Sequence, residues 1–425
     1  MDVEPVNDHH QSRRDMLRNL ALAAGLLAVG PSLFGASRPP QVAAPGLRWR
    51  SNIANLAHSL HEAAVVGDPE TRMLIPRGFS ARLLARSGER AAPGSDYRWH
   101  NEPDGGATFP MADGGWVYVS NAEIATPGAG GVGALRFNPR GEVVDSYAIC
   151  TGTTNNCAGG PTPWGSWLTC EEIADGRVLE CDPEGLRPAI PRPALGIFKH
   201  EAAAVDPVHG HVYLTEDEVD GNLYRFVPDI RTPGAPLDLT RGQLQVAVVG
   251  GAPRDTRQVR WQGLANPTPR LAAGDTPTRF QVAGATRFNG GEGCWYHDGV
   301  VYFTTKGDNR VWALDTQTQA LDLLYDRERD GVFDPAIADV DNLTVSAGGD
   351  VLVAEDGAAM RIVVVGAGLE PFELVNVLGH EGSEICGPAF SPDGSRLYFS
   401  SQNGVAGTPD DGRIYEIRGP FFIDT

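Results

Sequence analysis

The chain has 425 residues, 41% of them hydrophobic and 21% charged, proportions that support a buried core. Its formal net charge is -19 at pH 7, from 54 acidic and 35 basic residues. That balance excludes nucleic acid as a partner, because phosphate backbones are gripped by basic stripes. It leaves a soluble acidic surface, or acids gathered around bound cations.

The N-terminus reads as an address. Ser12-Arg13-Arg14-Asp15-Met16-Leu17-Arg18 precedes an apolar run at residues 20–29, and Pro31, Gly35, Ala36 and Ser37 follow, the pattern of a twin-arginine export signal. The run is too short to span a bilayer comfortably. The expectation is therefore removal, with a cut between about Gly35 and Ala44, and no stable membrane anchor. Delivery by the twin-arginine machinery to the periplasm or beyond would leave one domain over residues 45–425. That route carries folded cargo, commonly with a cofactor already inserted, and so points toward a metal.

Six times a glycine leads a short apolar strand: Gly115-WVYVS-Asn121, Gly165-SWLTC-Glu171, Gly210-HVYLT-Glu216, Gly299-VVYFT-Thr305, Gly349-DVLVA-Glu355 and Gly394-SRLYF-Ser400. The glycines lie 50, 45, 89, 50 and 45 residues apart, the period of a four-stranded propeller blade. The fold expected is an all-β, six-bladed β-propeller, monomeric. Before each strand runs a second segment rich in glycine and metal-binding groups, the candidate channel strand of each blade. Two lines of residues would then face one channel: Asp104, Cys157, Glu201, Glu292 and Asn342, and Asn121, Glu171, Glu216 and Glu355. Residues 228–279, dense in proline and arginine, read as an insertion on the third blade that could cover one mouth. Strand-like residues 79–85 and 413–418 would pair to close the ring.

A buried carboxylate is costly unless paired, hydrogen-bonded or bound to metal. The chain has only two lysines, Lys199 and Lys306, so calcium, which takes six to eight oxygens, is the natural neutraliser. A thiolate from Cys157, on a turn-rich backbone between Asn155-Asn156 and Gly159-Gly160, would favour a softer metal such as iron or zinc. The doublets Glu171-Glu172, Glu216-Asp217 and Glu355-Asp356 repeat the acid. Disulfides are permitted in an exported chain, and Cys170 with Cys181 and Cys294 with Cys386 are the pairings considered. His200 beside Glu201 suits a supporting or acid role. Residues 326–331 resemble the start of a calcium loop, but Ile337 stands where a bidentate glutamate is needed.

The stretch Asn156-CAGGPTPWGSWLTCEE resembles the signature of the PhoX family of exported, calcium-dependent alkaline phosphatases. Trp116-VYVSNAE, Gly131-VGALRF, Phe198-KHE, Asp341-Asn342-Leu343, Ala354-EDG and Gly387-PAFSPDGSRLYFSSQ follow in family order, from about residue 113 to the C-terminus. The resemblance implies a calcium and iron (Fe3+) cluster in the channel that hydrolyses small phosphate monoesters. It implies Cys157 as the iron thiolate, Glu172, Glu201, Glu292 and Asp356 as metal carboxylates, and Asn121 as a phosphate contact. Two departures accompany it. Gly290 stands where the family leads one to expect an arginine, and Gly357 where it leads one to expect an aromatic. Lys306, Arg310 or Arg287 would then substitute as the phosphate clamp. The competing readings are a calcium-dependent lactonase or esterase, against which Cys157 argues, and a non-catalytic calcium-stapled binding propeller.

Overall fold

In the computed structural model of the chain, the residues described are 49–62, 71–250, 257–330, 337, 339–357, 359–366 and 370–424; the expected export signal lies outside them. The architecture is all-β, and the one α-helix among the described residues is the four-residue Arg327–Asp330. No helix among them is long and apolar enough to cross a membrane.

The six glycine-led runs all form strands. Their β-branched and aromatic residues suit a pleated, buried surface. Five of the leading glycines turn with φ between 67° and 90°, and Gly114 takes that role in the first run, a left-handed conformation that costs glycine nothing.

Each run pairs with the segment before it. The hairpins are β1 (Pro103–Pro110) with β2 (Trp116–Ala122), β3 (Asn156–Pro161) with β4 (Trp167–Glu171), and β5 (His200–Asp206) with β6 (His211–Glu216). They continue as β7 (Gly291–His297) with β8 (Val300–Thr305), β9 (Val340–Val345) with β10 (Val351–Glu355), and β11 (Ile385–Phe390) with β12 (Arg396–Ser401). Further antiparallel strands extend each hairpin outward. Three of the resulting sheets are four-stranded and the others have nine and six strands, and a separate two-stranded sheet pairs Trp49–Ser51 with Phe422–Asp424.

The inner strands form a closed cycle, β1 against β3, β3 against β5, β5 against β7, β7 against β9, β9 against β11, and β11 back against β1. The arrangement is propeller-like. Ser80–Arg86 pairs with Arg413–Arg418, so the last sheet is completed from the N-terminal side of the ring, as the sequence suggested. Aromatic layers seal sheet to sheet: Trp116 stacks on Phe137 at 5.2 Å, and Phe137 lies 5.3 Å from Tyr398 on β12.

The proline-rich segment supplies structure at the outer rim. Gly242–Gly250 is the fourth strand of the third sheet, and Arg257–Gly263 pairs both with it and with Ala320–Asp326, fusing two sheets into the nine-stranded one. Its return brings Arg279 against Glu216, Glu218 and Asp220, bracing one loop of the channel rim.

Candidate metal centre

The same irregularity occurs in all six hairpins. Near its start each inner strand inserts one extra residue against its partner, a β-bulge that re-aims the side chains beside it. The pair opening the bulge is Pro103 with Ala122, Asn156 with Glu171, His200 with Glu216, Gly291 with Thr305, Val340 with Glu355, and Cys386 with Ser400. One residue further along the first five inner strands stand Asp104, Cys157, Glu201, Glu292 and Asp341, and in the sixth Cys386 itself opens the bulge. One residue beyond each second strand stand Glu123, Glu172, Asp217, Lys306, Asp356 and Gln402. The fold thus presents a channel ring, in which Cys386 is offset by one residue from the other five, and a mouth ring of six.

Local backbone holds these rings in place. In five of the six repeats the mouth-ring amide donates to the carbonyl preceding the bulge: Glu123 to Glu102, Glu172 to Asn155, Lys306 to Gly290, Asp356 to Asp339 and Gln402 to Glu384. Four of those carbonyl residues, Glu102, Asn155, Gly290 and Asp339, have φ between 47° and 66°. A left-handed conformation at three non-glycine residues is strain, and strain of this kind collects at functional sites.

The ring residues form one linked set. Ligand atoms lie within 4.8 Å of one another in five triplets: Asp104–Glu123–Cys157, Cys157–Glu172–Glu201, Glu201–Glu292–Asp341, Asp341–Asp356–Glu384 and Asp104–Glu384–Cys386. Each triplet shares a member with the next, so the set closes on itself. Burial pushes Asp104 up to about 7, with Asp341 adding to the shift, and Glu123 up to about 8, with Asp104 adding to it. Burial and the Glu123 charge push Glu172 up to about 9. Burial, reinforced by neighbouring carboxylates, raises Glu201, Glu292 and Glu384 as well. So many carboxylates cannot all ionise in one cavity without a counter-charge. Glu201 Oε2 is buried with no hydrogen-bond partner, while its Oε1 accepts from the Cys157 thiol at 3.2 Å. An orphaned carboxylate oxygen beside a thiol and further acids fits a cation site.

Both lysines of the chain belong to this site. Lys199 Nζ lies 2.9 Å from Glu172 and 2.7 Å from Asp217. Lys306, the one cation of the mouth ring, pairs with Asp356 and has Asp341 and Glu292 nearby. Burial alone would lower both ammonium groups, but the surrounding acids hold them well above the usual lysine range. His200, buried and 3.6 Å from the Phe198 ring, donates from Nε2 to Gly196 O; burial lowers its pKa to about 3, so it is neutral at pH 7 and no general acid.

Several expected residues lie elsewhere. Glu171, Glu216 and Glu355 are the bulge-opening residues of the second strands, and successive side chains on a strand take opposite faces. They point away from the rings. Glu171 is held by Arg177 at 2.7 Å, Glu216 by the Tyr224 hydroxyl at 2.7 Å and by Arg279, and Glu355 by Arg361. Asn121 donates to the Cys157 and Ala158 carbonyls and accepts from Trp167 Nε1 and Thr169 Oγ1. Its polar groups are spent stitching β2 to the next sheet, not presented to a phosphate. Arg310 pairs with Asp308 and Asp326, and Arg287 binds the carbonyls of Asp220 and Arg279. Neither turns to the ring. Asn342 donates to Asp341 and accepts from Gly387 N, leaving Asp341 as the ring member.

The two departures from the expected clamp have different surroundings. A Cβ at Gly290 would meet Asp217 Oδ1 and Gly307 N at 3.3 Å and Lys306 Cβ at 3.7 Å, so this position borders Lys306 at the mouth. At Gly357, φ is 130° and a Cβ would meet Asp339 Oδ2 at 2.9 Å. An aromatic side chain there conflicts with both the backbone and Asp339.

All six cysteines are free and buried. Cys170 faces Val178 and Cys181 faces Trp167 across one strand pair. Three residues of offset separate the two by about 10 Å, beyond disulfide reach. The Cys181 neighbour is Cys150, which shares a hydrogen bond with it. Cys294 sits in an apolar cluster with Phe288 and Phe303, whereas Cys386 bonds Asp104, so that pairing is not formed either.

Glu123, Asp217, Asp341, Glu384, Cys386 and Gln402 were not among the residues assigned to the site from sequence. The signal was in the doublets: the second acid of each, one past the repeating position, is the one the bulge turns inward.

The comparisons agree with this architecture. A model of the family described as Alkaline phosphatase PhoX matches residues 120–404. The solved structure of Pseudomonas fluorescens PhoX in complex with vanadate, a transition state analogue, is similar at TM-score 0.69 and 17% identity, covering 85% of this chain and 98% of that one. A gluconolactonase from Xanthomonas campestris aligns at TM-score 0.44 and 13% identity, covering 92% of this chain and 99% of that one. A search of curated proteins finds no sequence match. The family model spans well over half of the sequence, and the chain belongs to the PhoX alkaline phosphatase family, a family of phosphoric ester hydrolases.

Proposed function

We propose that the protein hydrolyses small phosphate esters through a cluster of calcium and iron held in the channel of a six-bladed propeller. The closed set of acid and thiol triplets, with the orphaned Glu201 Oε2 within it, carries this reading. Cys157, Glu172, Glu201, Glu292 and Asp356 are the ligands, joined by Asp104, Glu123, Asp341 and Glu384. When bound, the metals supply charge neutralisation at the phosphoryl oxygens and a reactive oxygen at neutral pH.

The chain's own residues define the rest. Cys157 is buried and engaged with Glu201, which suits a ligand and not a nucleophile. Lys306 is the cation placed to meet a phosphate oxygen, as it borders the open position at Gly290. Lys199 bridges Glu172 and Asp217 and offsets their like-charge repulsion. Export by the twin-arginine route, from residues 12–18, and action as a monomer complete the proposal.

The test is turnover by the purified native protein on p-nitrophenyl phosphate and on a sugar lactone. Hydrolysis of the phosphate ester alone is expected. Lactone hydrolysis without phosphatase activity would overturn the reading.

A further inference from the structure

The channel ring is chemically divided. Three neighbouring inner strands, β11, β1 and β3, contribute Cys386, Asp104 and Cys157, while β5, β7 and β9 contribute Glu201, Glu292 and Asp341. We propose that Cys386 is a second thiolate ligand, so that Asp104 stands between two positions for transition metals of the iron or zinc class and the all-oxygen half takes calcium. This rests on the metal-centre reading above and adds to it a ligand that the resemblance does not supply.

Three observations carry it. The first is place: Cys386 lies on β11 at the bulge-opening pair Cys386–Ser400, and β11 and β3 flank β1, so thiols on both neighbouring strands share Asp104. The second is surroundings. Cys386 Sγ lies within 4.8 Å of ligand atoms of both Asp104 and Glu384 and donates to Asp104, as Cys157 donates to Glu201. The other thiols differ: Cys294 is packed among Phe288, Phe303 and Trp312, and Cys170 among Leu168, Leu214 and Val178. The third is the orphaned, fully buried Glu201 Oε2, in a triplet that shares Asp341 with the Asp341–Asp356–Glu384 triplet and through Glu384 reaches Cys386. The unmet bonding capacity lies within one connected set.

Thiolates select softer metals, and carboxylates select calcium. On ligation each thiol gives its proton to solvent. The hydrogen bond from Cys386 to Asp104 is then replaced by a metal–sulfur bond, and the Asp104 oxygen is released to ligate. No oxidation is involved.

Cobalt(II) is the probe, added to protein stripped with a chelator, and thiolate-to-cobalt charge-transfer absorbance is read. Cys386→Ser and Cys157→Ser should each lower the absorbance about twofold, and the double variant should abolish it, while Cys294→Ser leaves it unchanged. Wild-type absorbance in Cys386→Ser overturns the proposal. Should Cys386→Ser fail to fold, X-ray absorption of the wild-type cobalt protein counts sulfur neighbours directly: two per cluster are expected, and one overturns it. Phosphatase activity with one sulfur per cluster would sink this inference alone. Two sulfurs without phosphatase activity would sink the proposed function alone.

Discussion

Glu171 and Glu172 are adjacent in sequence, and so are Glu216 and Asp217, and Glu355 and Asp356, yet the two members of each doublet have opposite surroundings. The first is turned outward and tied to arginine, with Tyr224 adding to the hold on Glu216. The second is turned to the mouth ring, where Glu172 and Asp217 share Lys199 and Asp356 pairs with Lys306. A carboxylate with a guanidinium beside it is already neutralised and contributes to the fold. Glu172 and Asp217 share a single ammonium and other carboxylates crowd Glu172, which makes this row the candidate for a bound cation. Alternation along a strand decides which is which, and the bulge opposite each doublet sets the phase.

The sharpest way to break this contrast is within the channel ring. Glu201→Gln should lower phosphate ester turnover by about 10³-fold or more, because it weakens a metal position and not a single contact. Elemental analysis should show metal lost while circular dichroism shows the fold kept. Outward members predict the reverse. Glu355→Gln removes one carboxylate from Arg361, which is 6% exposed, and keeps Glu373 at 2.9 Å as another. A loss of about 1.5–3 kcal/mol in denaturant unfolding is expected, with metal content unchanged. Metal loss on that substitution would show that the outward row also ligates.

At the mouth, Lys306→Met should raise KM for phosphate esters about tenfold or more with bound metal retained, the loss of one charge-assisted hydrogen bond. An unchanged KM would remove Lys306 from the phosphate site. The smallest effect is expected at Glu171→Gln. Its partner Arg177 is 43% exposed, solvent screens the pair, and thermal unfolding should register about 1 kcal/mol or less.

The row of raised carboxylates also sets a pH dependence. Asp104, Glu123 and Glu172 have folded values of about 7, 8 and 9, above those of an unfolded chain. The metal-free fold binds protons more tightly than the unfolded state, so its stability is full below the unfolded values and falls as pH rises through the folded ones. Chelator-treated protein should therefore melt at progressively lower temperature between about pH 5 and about pH 9. Restoring metal should flatten the trend.

Much of this was readable in the sequence. The spacing of the six glycines located every hairpin, because turn glycines at positive φ precede the strands they lead. The motif running from Asn156 to Glu172 named the family. Reading the ring required more, since a bulge inserts a residue at each channel strand and shifts the phase by one. Glu171, Glu216 and Glu355 lie on the repeating position and face outward, Asn121 is spent on the carbonyls of Cys157 and Ala158, and Asp341, not Asn342, faces in. Cys386 was hidden for a related reason: a cysteine among Ile385 and Gly387 carries no local sign of the Asp104 that another strand brings to it. Arg310 and Arg287 could not be judged without the partners, Asp308, Asp326 and Asp220, that engage them.

The most direct measurement is elemental metal content of the native protein, purified without chelator, paired with phosphate ester turnover before and after metal removal. Calcium together with iron, turnover lost on stripping and recovered on adding both metals back, is the predicted result. Phosphate ester turnover that persists undiminished in metal-free protein would contradict the account.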